Sequence, residues 1–208
     1  MNAAPLQPLF VLRPGIRLVL ASASPRRRQF MDEWGLPHTI FRPTGVEPRP
    51  ERGETPAAYA LRAATAKAQA VAASAESRAA DLILAADTVV ALDGELLGKP
   101  SSPEDAMRML RTLSGRTHSV ISGLFVASPR HMETLAVETR VRFRALSESQ
   151  IRWYAATDEP LDKAGSYAIQ GIGGAFVESI EGSHSNVIGL PLAEALAALE
   201  RAGLVLPW

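Results

Sequence analysis

The chain has 208 residues, a formal net charge of zero (22 basic, 22 acidic) and 47% hydrophobic residues. That balance supports a buried core and argues against intrinsic disorder. It also disfavours a nucleic-acid-binding module, which needs a positive excess and stacking aromatics, whereas aromatic residues are only 6% here. The absence of cysteine excludes disulfides, zinc–thiolate sites, iron–sulfur clusters and thiol nucleophiles. No apolar run reaches the ~20 residues of a membrane span, and the first fifteen residues lack the pattern of a secretory signal. A soluble, cytoplasmic α/β protein is the expectation, with no membrane partner.

Residues 1–15 read as an irregular N-terminal extension and 16–208 as one domain. Ile16 to Ala21 is a short buried strand, and Ser24-Pro25 opens a helix that closes at Gly35. His38 to Phe41 is a second strand, and 44–54 a loop rich in Pro, Gly and charge. Thr55-Pro56 caps an alanine-rich helix that fades near Ala80. Leu82 to Ala86 is a buried strand ending at Asp87, and Val89 to Leu97 a hairpin turning at Asp93-Gly94. Ser102-Pro103-Glu104 starts a helix that stops near Gly115. Thr117–Ala127 and Thr134–Ala145 are extended, and Ser147 with Gln150 forms a capping box. Residues 157–174 are a glycine-containing loop region, Ala175–Ile180 a strand and Pro191–Arg201 the last helix. βα units mixed with hairpins imply an α/β fold, a mixed β-sheet flanked by helices.

Four segments carry candidate chemistry. In SASPRRRQF, Arg26, Arg27 and Arg28 occupy a first helical turn, where positive charge opposes the helix dipole. An anion docked at the helix N-terminus resolves that conflict. Arg28 is the weakest candidate, because three successive helical positions cannot share a face. In LILAADTVV, Asp87 and Thr88 stand at a strand end, where α/β crevices form. The carboxylate there holds Mg²⁺, accepts a proton from water, or caps a turn. Lys99 lies in a Gly-Lys-Pro turn. Of the 22 basic residues only Lys67, Lys99 and Lys163 are lysine. Gln170 sits among Gly165, Gly171, Gly173 and Gly174, glycines that let backbone approach a ligand. Its amide can pair with two atoms of a uracil or thymine imide edge. The four histidines have no metal spacing, and P-loop, GxGxxG and GxSxG motifs are absent.

LASASPRRRQF, AADTVV, DGELLGKP, LSGRTHSV, TDEPLDKAGSYAIQGIGGAFV and SNVIGLPL occur in an order that resembles the Maf family of nucleoside triphosphate pyrophosphatases, from about Arg17 to Leu192. The resemblance implies a Maf/ITPase-like fold with an active-site cleft and a hydrolase acting on phosphoric anhydrides. It implies a proton acceptor at Asp87, specificity positions at Arg26, Thr88 and Gln170, and phosphate-binding cations at Arg27, Lys67 and Lys99. Ser22 and Ser24 match small polar positions of the first loop. The specificity residues look like those of the dTTP/UTP branch rather than the 7-methyl-GTP branch, with modified pyrimidine nucleotides as further substrates in a nucleotide-pool house-cleaning role. A divalent cation, Mg²⁺ or Mn²⁺, goes with the family. Glu47 matches the first of an acidic pair whose second member is Pro48 here, so the metal falls to Asp87 with or without Glu47. The SHSN segment at 183–186 departs from an aromatic residue often found there. A homodimer is allowed by the resemblance. The rival readings are a non-catalytic nucleotide-binding regulator of cell division and a 7-methyl-GTP pyrophosphatase.

Overall fold

Short polar residues, some of them followed by proline, set most of the helix starts. Thr55, Ser102 and Ser183 each accept a backbone N–H from three residues on, and Ser147 with Gln150 makes a reciprocal capping box. Pro25, Pro56 and Pro103 occupy first helical positions, where the missing N–H costs nothing. The computed structural model describes residues 10–43, 47–74 and 81–205.

In chain order the elements are β1 (Val11–Leu12), β2 (Arg17–Ala21), α1 (Pro25–Glu33), β3 (His38–Phe41), α2 (Pro56–Ala72), β4 (Asp81–Leu92) and β5 (Glu95–Leu97). Then come α3 (Pro103–Leu113), β6 (Thr117–Ser128), β7 (His131–Phe143), α4 (Glu148–Ala155), β8 (Val177–Glu181), α5 (His184–Ile188), α6 (Leu192–Ala202) and β9 (Leu204–Val205). Two 3-10 turns, Ala164–Ser166 and Ile172–Phe176, break up the segment between α4 and β8. The main sheet runs β3-β2-β4-β6-β7-β8, with β5 on the β2 side of β4. β2 is parallel to both β3 and β4, and the pairings from β4 to β8 are antiparallel. The fold is α/β, with a mixed sheet flanked by helices.

Four elements differ from the sequence reading. β4 does not stop at Asp87. It runs unbroken through Asp87 and Thr88, because β6 pairs with it continuously from Ile83 to Ala91. α2 ends at Ala72, and the expected tail toward Ala80 lies mostly outside the described residues. The stretch expected to be irregular holds β1, which pairs with β9, and Phe10, which is buried edge-on against Trp34. α5 was not foreseen; its five residues are too short for a periodic signal.

Alternation along β4 divides the core. Leu82, Leu84 and Ala86 pack with α1 and α6, while Ile83, Ala85, Val89 and Ala91 face α2. α2 lies close on the sheet through Ala60, Ala63, Ala64 and Ala68, all buried. The approach is tightest at Gly123 of β6, where a Cβ would sit 2.3 Å from the Ala60 carbonyl oxygen. Backbone cannot move aside as a side chain can. Gly123→Ala should therefore lower stability by about 1–3 kcal/mol, read as a fall in the thermal midpoint, whereas Gly94→Ala, in the open turn of the β4–β5 hairpin, loses only its left-handed backbone preference. Equal midpoints for the Gly123 variant and wild type would contradict the packing.

Candidate active site

On the edge of β4 opposite β6, β2 covers Asp81–Ala85 and β5 covers Val90–Leu92. The interval at 86–89 has no strand partner on that edge among the described residues. A cleft of about 340 Å³ opens there, within the range of small-molecule sites. Because Asp87 and Thr88 are adjacent in a strand, they project to opposite faces, and the interrupted edge lets both line one cavity.

Asp87 faces α2 and is buried. Its Oδ1 accepts a hydrogen bond from Lys67 Nζ, forming an ion pair in which both side chains are largely shielded from water. Thr88 faces α1 and is enclosed by its own network. Its hydroxyl accepts from Arg27 Nη2 at 2.9 Å, lies 2.8 Å from Ser122 Oγ and donates to the Gly189 carbonyl at 3.1 Å. Arg27 is also buried. It donates from Nε to Gly189 O at 2.7 Å and from Nη1 to Ser22 Oγ at 3.3 Å. Burial pushes its guanidinium pKa down, while the charge of Asp87 opposes that shift. Arg27 thus ties α1, β4 and the α5–α6 connection together, besides bringing a cation to the cleft wall.

The N-terminus of α1 lines the cleft. Ser24 is the N-cap residue of α1 but gives no side-chain cap, and the first turn holds no acidic residue. The Ser24 N–H donates to Ser22 Oγ at 3.1 Å. Arg26 donates from Nε to the Ile188 carbonyl at 3.3 Å and lies 3.7 Å from Asp162 across the cleft. Arg28 instead pairs with Asp32 at 3.5 Å and does not line the cavity.

Ser22, Ser24, Arg26, Arg27, Glu47, Lys67, Asp87, Thr88, Lys99 and Gln170 all line this one cleft. Lys99, Glu47 and Gln170 are exposed at its rim. The charges of Asp87 and Glu47 both act to raise the pKa of Tyr59, after burial itself, so the two carboxylates share one field. Among the described residues no three His, Cys, Asp or Glu side chains cluster to cage an ion. The lining carries three carboxylates, Glu47, Asp87 and Asp162; with Asp162 paired to Lys163, one or two remain for a metal, a donor set that suits Mg²⁺ completed by phosphate oxygens.

The glycines near Gln170 have a different purpose from the ligand approach expected of them. A Cβ on Gly171 would meet the Glu159 carboxylate at 2.3 Å, one on Gly173 the Tyr154 hydroxyl at 2.6 Å, and one on Gly174 the Ile169 carbonyl at 2.3 Å. Gly165, with φ +70, would press on Val90. Each admits protein, not ligand. The sequence reading also gave no role to Asp162, Lys163 and Tyr167 of the lining, or to Asn186, whose amide donates to Val120 O, Val137 O and Thr139 Oγ1 and so anchors α5. The charged run preceding Gly165 was the available signal for the first two.

Tyr167 closes the cleft from below and rests on His118, 2.9 Å from hydroxyl oxygen to Nε2. His118 is buried, and burial pushes its pKa down to about 4. An unfolded histidine titrates near 6.5, so the unfolded chain binds the proton first as pH falls. Stability is complete above pH 6.5 and declines between about 6.5 and 4, by about 3 kcal/mol at the lower end. Thermal midpoints at pH 7 and 4.5 check this: wild type should lose more than His118→Gln, whose side chain does not titrate. Parallel pH slopes for the two proteins would contradict it.

A family model described as Maf-like protein matches residues 17–202. The chain is 54% identical over 191 residues to a dTTP/UTP pyrophosphatase of Myxococcus xanthus, covering 92% of this chain and 95% of that protein. Proteins with the same name from Nitratidesulfovibrio vulgaris (52% identity; 90% of this chain, 89% of that protein) and Shewanella oneidensis (46%; 91% and 100%) are also similar.

Proposed function

The chain belongs to the Maf family, and we propose from that premise that it is a hydrolase of nucleoside triphosphates, converting dTTP and UTP to the monophosphate and pyrophosphate. One observation carries the reading. A buried carboxylate, ion-paired to Lys67, lies in the same cleft as a helix N-terminus free of acidic residues and an exposed glutamine amide. Relatives with about half their residues identical carry the name dTTP/UTP pyrophosphatase.

The triphosphate carries about four negative charges at neutral pH, and preorganised cations stabilise what develops on it. In this reading Lys99 at the rim, Arg27 in the wall and the open N–H groups of α1, which all line the cleft, receive it. Lys67 fixes the Asp87 carboxylate toward the cleft. Asp87 then accepts the proton of the water that cleaves the α–β phosphoanhydride. In the alternative role, Asp87 with or without Glu47 would hold a Mg²⁺ or Mn²⁺, which would supply further charge neutralisation to the phosphates. Gln170 reads the imide edge of the pyrimidine, with Arg26 and Thr88 shaping the pocket beside it. For Thr88 that role is indirect, since its hydroxyl is already engaged with Arg27, Ser122 and Gly189. No described helix is long and apolar enough to cross a membrane. A cytoplasmic enzyme of the nucleotide pool, without nucleic-acid or membrane partners, fits the neutral and cysteine-free composition; a homodimer is compatible with it.

The test is a panel of dTTP, UTP, CTP, GTP and 7-methyl-GTP, with and without Mg²⁺ or Mn²⁺, scored for pyrophosphate. Preference for dTTP and UTP, dependent on metal, is expected. Orthophosphate with a nucleoside diphosphate as product, or equal rates on 7-methyl-GTP, would overturn the reading. Asp87→Asn should lower turnover roughly 10²–10⁴-fold in a protein that still folds. Activity within a few-fold of wild type would make Asp87 structural and overturn its role in the mechanism.

A further inference from the structure

The segment that carries Gln170 is held from behind by a residue that does not line the cleft. Glu159, half-buried in the turn after α4, accepts the Gly173 N–H at 2.9 Å and the Tyr154 hydroxyl at 2.8 Å on Oε1, and the Ile172 N–H at 3.1 Å on Oε2. Tyr154, fully buried, in turn accepts the Ala168 N–H at 3.2 Å. One carboxylate and one phenol thereby fasten both sides of the Ile169–Gln170 turn, in which Gln170 is exposed and Ile169 packs on the core, at Ala168 before it and Ile172–Gly173 after it. The turn is closed by the Gly171 N–H on the Ala168 carbonyl at 3.2 Å.

We propose that Glu159 is a positioning residue for base selection, acting through the Gln170 turn. The inference rests on the reading of Gln170 as the group that contacts the base. A glutamine exposed on a turn loses side-chain and backbone freedom when it pairs with a ligand. A turn already fixed by two backbone hydrogen bonds to a carboxylate and a third to the phenol that this carboxylate holds incurs less of that loss, so selectivity is gained through preorganisation. Burial acts to raise the Glu159 pKa, yet the N–H groups of Gly173 and Ile172 and the Tyr154 hydroxyl outweigh it and hold the carboxyl below its ordinary value. The brace is therefore ionised throughout the neutral range. The glycines at 171 and 173 are the sequence counterpart of the same contact, since a Cβ at either would strike the carboxylate or the phenol.

Steady-state kinetics on dTTP, UTP, CTP and GTP test this with Gln170→Ala, Glu159→Ala, Glu159→Gln and the Glu159→Ala/Gln170→Ala double variant. Glu159→Ala should lower kcat/KM for dTTP and UTP roughly tenfold, mostly through KM, and change CTP and GTP by less than about threefold. Glu159→Gln keeps the shape and an acceptor oxygen and should fall between Ala and wild type. Adding Gln170→Ala to Glu159→Ala should cost little more, because both act on one contact. If Glu159→Ala folds poorly, Glu159→Gln carries the same substrate comparison. An equal proportional fall on all four nucleotides, or losses that multiply in the double variant, would overturn the positioning role. If Gln170→Ala narrows the substrate spread and the Glu159 variants do not, only the Glu159 inference fails. If Gln170→Ala leaves the spread unchanged, the base-reading role fails and the inference with it.

Discussion

The contact between Lys67 of α2 and Asp87 of β4 is the constraint on which the site depends. A carboxylate in the middle of a buried strand is costly unless it is paired, and here the partner is supplied by a helix that must lie very close to the sheet. The alanine face of α2 and the bare Cα of Gly123 make that approach possible. The same ion pair lies where β2 has ended and β5 has not begun, so the charge reaches solvent only through the cleft. Helix packing, strand register and chemistry meet at one contact.

Around that contact the arginines and glycines divide the work differently from their sequence signatures. Arg27 is as much a brace as a cation, since Gly189, Ser22 and Thr88 all draw on its guanidinium. Arg26 reaches across to Ile188 and Asp162, and Arg28 is a surface partner of Asp32. Three consecutive residues of one type thus have three environments, as a 100° step per helical residue requires. The glycine cluster beside Gln170 serves close packing against Glu159, Tyr154 and its own backbone, which fixes the turn rather than freeing it.

Much of the fold was legible because its signals are local. Capping residues, the Asp93-Gly94 turn with both φ values positive, and the apolar runs of β2 and β4 each announce an element within a few residues. The cleft residues were legible because charge in apolar surroundings, or in a first helical turn, asks for an explanation. What was missed is non-local. The continuity of β4 through Asp-Thr is imposed by its ladder with β6. β1 exists only because β9, nearly two hundred residues away in sequence, pairs with it. Glu159 is one acid in a charged run, and nothing in the sequence says that it meets Gly173 and Tyr154. Asn186 likewise shows its purpose only once β6 and β7 lie beside α5.

If Lys67 acts chiefly by fixing Asp87, the two behave as one unit. The direct measurement is a double-mutant cycle on kcat/KM for dTTP with Lys67→Met, Asp87→Asn and both together. The account predicts that the double variant is no more than a few-fold slower than Asp87→Asn alone, as for groups that act jointly. Losses that multiply, with Lys67→Met costing as much in the Asp87→Asn background as in wild type, would contradict it and give Lys67 a task independent of the carboxylate it holds.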